Sequence, residues 1–439
     1  MQRPANIISL PKIPELKNRV LFTLLMLFIY RVGIFIPLPG VDVQALKEFF
    51  ARAEGTLLGL FNLFSGGAME NASIFALGVM PYITSSIIME VMSSVFPKLQ
   101  ELKKQGELGR QKINQYTRYL TIFLALFQGS FWALSLEQTF VGTGSLAVHG
   151  GFLFRISSGI ILLIGTMSLL WIGEQITKKG IGNGVSLIIF TGIIAGLPGA
   201  IGNLFTLIKL GEIEPMNVIM GLILMLIVVG FVVWIEASYR KITIQYATRV
   251  MGRKIVGGVS SYLPIKLNIS GVIPPIFASS LLMFPLTVAQ FVQNPITQKI
   301  AEFLNPLSIP YNIIYFALIM FFAFFYTGII FNPYDVAENL QKAGAFIPGI
   351  RPGENTAKFL DGIITRLTLI GGIYLGFICV LPTFFISGMN LPFRFGGTAL
   401  LIVVGVAMDT IRQVESLLLM SSYEGMMGKE PVFRGRTVF

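Results

Sequence analysis

Cysteine and histidine are almost missing from this 439-residue chain, where Cys379 and His149 each stand alone. One cysteine cannot close an internal disulfide, and one histidine cannot build a metal cluster by itself, so both are expected to be structural. Also missing are a Gly-x-x-x-x-Gly-Lys-Ser/Thr phosphate loop, a His-Glu-x-x-His helix and a Gly-x-Ser-x-Gly elbow. The chain is therefore expected to be no enzyme and to use no cofactor, and work on a substrate must come from a partner or an ion gradient. Charge is scarce too. Only 13% of residues are charged while 54% are hydrophobic, 37 of them Phe, and the mean hydropathy is +0.75. A single water-soluble core of this length does not use so much apolar surface. The solvent for most of the chain is lipid.

A helix needs about 20 mostly apolar residues to cross the hydrocarbon layer. Ten such runs separate at polar or Gly/Pro-rich breaks: 20–37, 74–96, 119–136, 156–173, 185–208, 218–237, 272–292, 313–331, 367–386 and 395–408. The first ends in Pro37-Leu38-Pro39-Gly40 rather than a small-residue cleavage site, so it is expected to be retained. Orientation follows from the basic residues, which gather on the cytoplasmic side of membrane proteins. The N-terminus, the alternate loops 2/3, 4/5, 6/7 and 8/9, and the tail together hold 26 of the 33 Lys and Arg. Both termini are expected in the cytoplasm, and the net charge of +11 belongs to that face.

Ten helices with both ends on one side divide at the short outer loop near Gly211 into two sets of five, 1–210 and 211–439, and five being odd, the halves must point oppositely. A fragment of repeat agrees with that: Gly78-Val79-Met80-Pro81-Tyr82-Ile83 matches Gly271-Val272-Ile273-Pro274-Pro275-Ile276, each opening the second helix of its half. Between the first two runs, residues 56–68 (TLLGLFNLFSGGA) are apolar enough to bury but too short to span. They suit a re-entrant element, or alternatively an interfacial helix lying on the membrane. The Gly66-Gly67 pair with Glu70-Asn71 then makes a hinge. Loop 6/7 (240–270) carries six basic and no acidic residues from Arg240 to Lys266, with β-type stretches 242–246 and 255–259 around Gly252. It reads as a projecting basic hairpin, suited to an acidic or RNA-rich partner.

Ionisable groups in membrane spans are functional suspects. Arg31, Glu174 and Glu236 fall near run ends, where interfacial snorkelling accounts for them. Asp409 has Arg412 three residues on, a spacing that allows pairing on one helix face. Glu90 stands six residues before Phe96, about 9 Å from that end of its helix at 1.5 Å per residue.

Several stretches, in this order, resemble the SecY family, the channel subunit of the bacterial Sec protein-export translocon. They are Ile74 to Gly78 with Met80 to Ile83, Gly109-Arg110 to Ile113 with Gln115 to Tyr119, Gly173-Glu174-Gln175-Ile176-Thr177, Gly180 to Gly184, Gly344 to Gly353, and Gly396-Gly397-Thr398. The resemblance implies an all-α channel between two inverted five-helix halves, clamped by a SecE-like subunit beside a SecG-like one. It would be closed outside by a plug and would open sideways to lipid. Segment 56–71 looks like the plug, with Leu60, Phe61, Leu63 and Phe64 at its core. The pore ring would comprise Val79, Ile83, Val185, Ile189, Ile276 and Ile402, with Leu401 as the alternative for the last. Branched apolar side chains dewet a narrow constriction and deform around a passing chain. The spacings Val79/Ile83 and Val185/Ile189 put each pair on one helix face.

The resemblance also places a lateral gate between helices 2 and 3 and helices 7 and 8. Glu90 stands there in place of an expected glutamine and is expected to face Asn268 and Ser270. Arg351 in loop 8/9 (332–366), with Arg253 and Lys254 at the tip of loop 6/7, matches positions that dock a SecA-like ATPase or the ribosome. The implied activity is passage of signal peptides and unfolded secretory chains across, or into, the lipid bilayer of the bacterial inner membrane. An ion-coupled transporter of inverted repeats is the alternative and calls for a central carboxylate or broken-helix ion site. A membrane scaffold, the third class, would need no plug.

Overall fold

The computed structural model describes residues 14–52, 62, 65–138, 140–141, 144–145, 150–211, 215–246, 249–251, 254–256, 260–291, 303, 308–389 and 397–426. In the first half the helices are α1 (Pro14–Gly33), α2 (Val43–Arg52), α3 (Met80–Val95), α4 (Pro97–Lys104), α5 (Glu107–Gln138), α6 (Phe152–Lys179), α7 (Gly184–Ala195) and α8 (Leu197–Leu210). The second half supplies α9 (Pro215–Glu236), α10 (Ile273–Phe291), α11 (Ile309–Ile330), α12 (Pro333–Lys342), α13 (Glu354–Met389) and α14 (Gly397–Met426). Each of the ten expected runs falls on a helix, and among the described residues seven helical stretches are long and apolar enough to cross a membrane. Their outer faces carry bare apolar side chains such as Phe28, Leu226 and Trp234. Water would not tolerate that surface, and lipid does. The chain is a multi-pass membrane protein.

Two boundaries differ from expectation, for one reason. The run 74–96 becomes helical only at Met80, because Gly78 takes φ +56° and residues 65–79 form tight turns. Pro81 sits in the first turn of α3, where its missing amide hydrogen leaves no helix bond unmade. At the second copy, Gly271 takes φ +62° and α10 starts at Ile273, with Pro274 and Pro275 in its first turn. The two hexapeptides thus share a backbone conformation, a left-handed glycine two residues before the helix. The fifth run, 185–208, is interrupted at Gly196, and α8 begins with Leu197-Pro198. Other helices outrun their apolar cores: the 36 residues of α13 extend about 54 Å at 1.5 Å each, well beyond the hydrocarbon layer.

The described β-structure lies in the loops. Strand β1 (Phe140–Val141) pairs with β2 (Gly144–Ser145). In loop 6/7, β3 (Tyr239–Tyr246) pairs antiparallel with β6 (Ser260–Lys266), while β4 (Arg249–Met251) pairs with β5 (Lys254–Val256) around the tip. The expected hairpin is present, with its return strand reaching further, to Lys266. Strand β7 (Ala345–Phe346), a hundred residues on, adds to the free edge of β3. Pro264 in β6 suits an edge strand, which can spare an outward N–H.

Four apolar clusters organise the packing. The first joins α9, α10, α11, α13 and α14 through Val232, Ile319, Leu375 and Leu401. The second draws Tyr30 of α1 and Ile34 just after it, Ile172 and Ile176 of α6 and Ile193 of α7 against Ile402 and Val406 of α14. In the third, Leu46 and Phe50 of α2 cover Trp132, Leu136 and Leu162. A fourth packs the hairpin base against α13.

Candidate functional site

The second cluster crosses from one half of the chain to the other. Val79 is the residue that precedes α3, and the Ile83 amide donates to its carbonyl at 3.1 Å, so the two remain one turn apart although Val79 is not helical. Asn183 caps α7 by accepting the amides of Val185 (3.1 Å) and Ser186 (3.4 Å), which orients Val185 and, a turn later, Ile189. Ile276 lies in the first turn of α10 and Ile402 in α14. All six side chains share one apolar cluster, with Val79, Ile189 and Ile402 buried within it. Leu401 packs in the other cluster, whereas Ile402 packs in this one.

Plug residues Leu60, Phe61, Leu63 and Phe64 lie outside the described residues; the strap that follows them does not. The Asn62 side-chain amide donates to Glu70 Oε2 at 2.7 Å, while its oxygen accepts the Glu70 amide at 3.2 Å. Asn71 donates to the Gly67 carbonyl at 2.8 Å. Two α1 residues hold this strap: Tyr30, and Arg31, which does not snorkel to the interface as its place near the run's end suggested but turns to a backbone carbonyl. Arg31 donates to the Gly66 carbonyl at 2.7 Å, and the Tyr30 hydroxyl donates to the Ser65 carbonyl at 3.3 Å. Gly66, at φ +69°, lies so close to α7 that an added Cβ would sit 2.7 Å from Gly192 Cα. The hint in the sequence was Arg31, the lone cation inside the first run.

At the gate position the expected pairing is replaced. Glu90 faces Lys103 of α4, with Nζ to Oε1 at 3.4 Å, and the carbonyl of Glu90 accepts the Ser93 and Ser94 hydroxyls. Tyr326 of α11, on the opposing wall, is within its electrostatic range. Buried Asn268 donates instead to Glu236 Oε1 at 2.7 Å and to the Gly271 carbonyl at 3.1 Å, and Ser270 donates to Asn268 Oδ1. The cause is local. Pro275 has no N–H for the Gly271 carbonyl, which leaves that acceptor to Asn268, and Glu236 ends α9 beside it. Arg412 closes the knot by donating to the Glu236 carbonyl at 2.7 Å, pairing with Asp409 at 3.5 Å and covering the Tyr239 ring. The Asp409–Arg412 pairing expected from spacing is therefore present, and Lys266 approaches Asp409 as well, at 3.9 Å.

The SecY family model matches residues 73–411, and the chain is 48% identical over 417 residues to the protein translocase subunit SecY of Rickettsia conorii, covering 94% of this chain and 96% of that one. The chain belongs to the SecY family. Among solved structures, that of a protein-conducting channel is 21% identical over 98% of this chain and 100% of the other, with a TM-score of 0.64. A structure of SecY whose plug domain stabilises the closed state of the translocation channel and maintains a membrane seal matches at 21% identity with the same coverage and a TM-score of 0.63. These two share the fold.

The SecY-like stretches now acquire physical reasons. Arg118 of the Gln115–Tyr119 stretch forms a salt bridge with Glu174 of Gly173–Thr177, joining α5 to α6. In the Gly180–Gly184 turn, the Ile181 amide donates to Thr23, the Gly182 amide to Gln413 and the Gly184 amide to Thr177, so one turn fastens α1, α6 and α14. Gly184 has to be glycine, because a Cβ there would lie 1.9 Å from the Gly173 carbonyl oxygen. Of the docking residues, Arg253 is outside the described residues and Lys254 opens β5. Arg351 is exposed in the turn after β7, where its carbonyl accepts the Thr356 hydroxyl at 3.0 Å. Ile242, Ile265 and Ile347 share one small core with Leu360 and Ile364. Both loops therefore form a single body.

Proposed function

We propose that this chain is the protein-conducting channel of a bacterial export translocon, passing unfolded secretory polypeptides through the constriction made by Val79, Ile83, Val185, Ile189, Ile276 and Ile402. The observation that carries this is the convergence of those six branched side chains, from four helix starts or bodies in both halves, into one cluster. Close-packed aliphatic groups exclude water and hydrated ions while offering them no ligand, and they part around an extended chain without breaking any polar bond. Segment 56–71 acts as the plug, and Tyr30 and Arg31 hold the strap at its end. Lateral release of apolar segments to lipid takes place where α3 faces α10.

In this reading residues 1–210 and 211–439 are inverted halves, and the hairpin face, with both termini, is cytoplasmic in the inner membrane. SecE-like and SecG-like subunits flank the channel. A SecA-like ATPase or a ribosome grips the body that bears Arg253, Lys254 and Arg351 and supplies the work. Signal peptides enter at the gate beside Glu90, Asn268 and Ser270. The test is crosslinking of a stalled secretory chain to cysteines placed at Val79, Ile83, Ile189 and Ile276. Adducts at these positions, and their absence at lipid-facing Leu226, are the expected result; absence at all four would sink the channel assignment.

A further inference from the structure

Behind the ring, in the second half of the chain, two hydroxyls meet beside an otherwise apolar cluster. The Tyr315 hydroxyl of α11 lies 2.7 Å from Thr398 Oγ1 in the first turn of α14, and 3.4 Å from the carbonyl of Pro275 in the first turn of α10. Cys379 of α13 is buried in the same cluster as Tyr315. Tyr315 and Cys379 are each 5% exposed. Close approach is made possible by Gly397, where an added Cβ would meet the Ile378 carbonyl oxygen at 2.0 Å and Cys379 Cα at 2.6 Å. The start of α14 is thereby pressed against α13 and aimed at Tyr315.

What this link touches decides what it can do. Pro275 immediately precedes Ile276. Thr398 precedes Leu401 by three residues and Ile402 by four, so it stands on the seam of α14 between the side that packs in the first cluster and the side that packs in the ring. One hydroxyl therefore spans the two helix turns that carry the second half's ring residues. We propose that Tyr315 is a positioning residue of the constriction: bonded to Thr398 and the Pro275 carbonyl, it sets the separation of Ile402 and Ile276 and so biases the channel toward its closed packing. A hydroxyl buried among aliphatic groups has no water to turn to, so losing this partner frees one helix start from the other. The inference rests on the ring reading above.

The test uses proteoliposomes holding the full chain with its SecE-like subunit, read by anion leak without substrate. Tyr315→Phe, which keeps the ring and removes only the hydroxyl, is expected to raise the leak about fivefold, the effect of one net hydrogen bond on a closed–open balance. Thr398→Val should do the same, Thr398→Ser should restore the native leak, and the double variant should leak no more than the worse single one. All should accumulate like the native chain. If Tyr315→Phe and Thr398→Val both keep the native leak, or if Thr398→Ser leaks as much as Thr398→Val, the inference is overturned. Should Tyr315→Phe fail to accumulate, the Thr398 pair decides. A stalled chain crosslinked at Ile276 and Ile402 separates the two failures: adducts with an unchanged leak refute the positioning role alone, whereas missing adducts refute the ring and this role with it.

Discussion

Two copies of one helix start, Gly78 to Ile83 and Gly271 to Ile276, are built alike and joined to different things. Each has a left-handed glycine two residues ahead of the helix and proline in the first turn. Upstream of the first lies the plug strap, tied to α1 by Tyr30 and Arg31. Upstream of the second lies the basic hairpin, tied to α9 and α14 by Asn268, Glu236 and Arg412. The same local device thus delivers a residue of the shared apolar cluster in each half, while its upstream attachment differs, in the proposed reading a seal in one case and a handle in the other. Polar bonds to neighbouring helices, rather than the hexapeptides, make the halves different.

The strongest attack on that contrast is Arg351→Glu. Reversing a charge that faces a complementary partner costs several kcal/mol, about a hundredfold or more in binding. Partner-driven export into inverted vesicles should stop, with substrate-free leak unchanged; unimpaired export would remove the handle from the account. Next is Arg31→Met on the seal side. A bond from a charged donor is worth about 1.5–3 kcal/mol, so anion leak should rise about tenfold or more at a normal level of chain, and partner binding should not change. A weakened partner with an intact seal would invert the assignment of the two attachments.

Gly78→Ala and Gly271→Ala sharpen the likeness rather than the difference. Neither added Cβ meets a close neighbour, the nearest for Gly78 being Ser65 Cα at 3.7 Å. Both should therefore lose about 1–2 kcal/mol from the left-handed backbone alone, seen as equal drops in thermal stability. Unequal drops would show that the two starts are not equivalent. The smallest effect is assigned to Glu90→Gln. Its pair with Lys103 is partly exposed, with side-chain exposures of 34% and 46%, and such pairs contribute about 0.5 kcal/mol or less. Stringency toward weak signal sequences should barely shift, and a marked change would mean that Glu90 acts through Tyr326 and the opposing wall after all.

The helical, multi-pass character was legible because twenty apolar residues in a row admit few interpretations, and seven of the described helical stretches are long and apolar enough to span. The clustering of Val79, Ile83, Val185, Ile189, Ile276 and Ile402 was foreshadowed by one-turn spacings together with the SecY-like stretches. Val79 was misplaced into a helix, since apolar character does not report that Gly78 has turned left-handed. The strap's anchors were hidden for another reason: Arg31 and Gly66 are 35 residues apart, and a side chain bonding a backbone carbonyl leaves no periodic trace. Asn268 was matched to Glu90, because only packing shows that Glu236 is its partner. Likewise nothing in Ala345-Phe346 announces that it will pair with Gln245 and Tyr246.

That last pairing changes what the two basic loops amount to. Held in one sheet over one small core, they cannot drift apart, so under the proposed docking role they would act as a divalent ligand with a fixed spacing. A partner touching one loop meets the other at an effective concentration in the millimolar range or above, and two weak attachments become one long-lived grip. Release then requires both to let go within the same interval. In the proposed docking reading, a partner that loosens its hold on a single loop re-grips without diffusing away, and it is the pairing of a two-residue strand that keeps the second loop within reach.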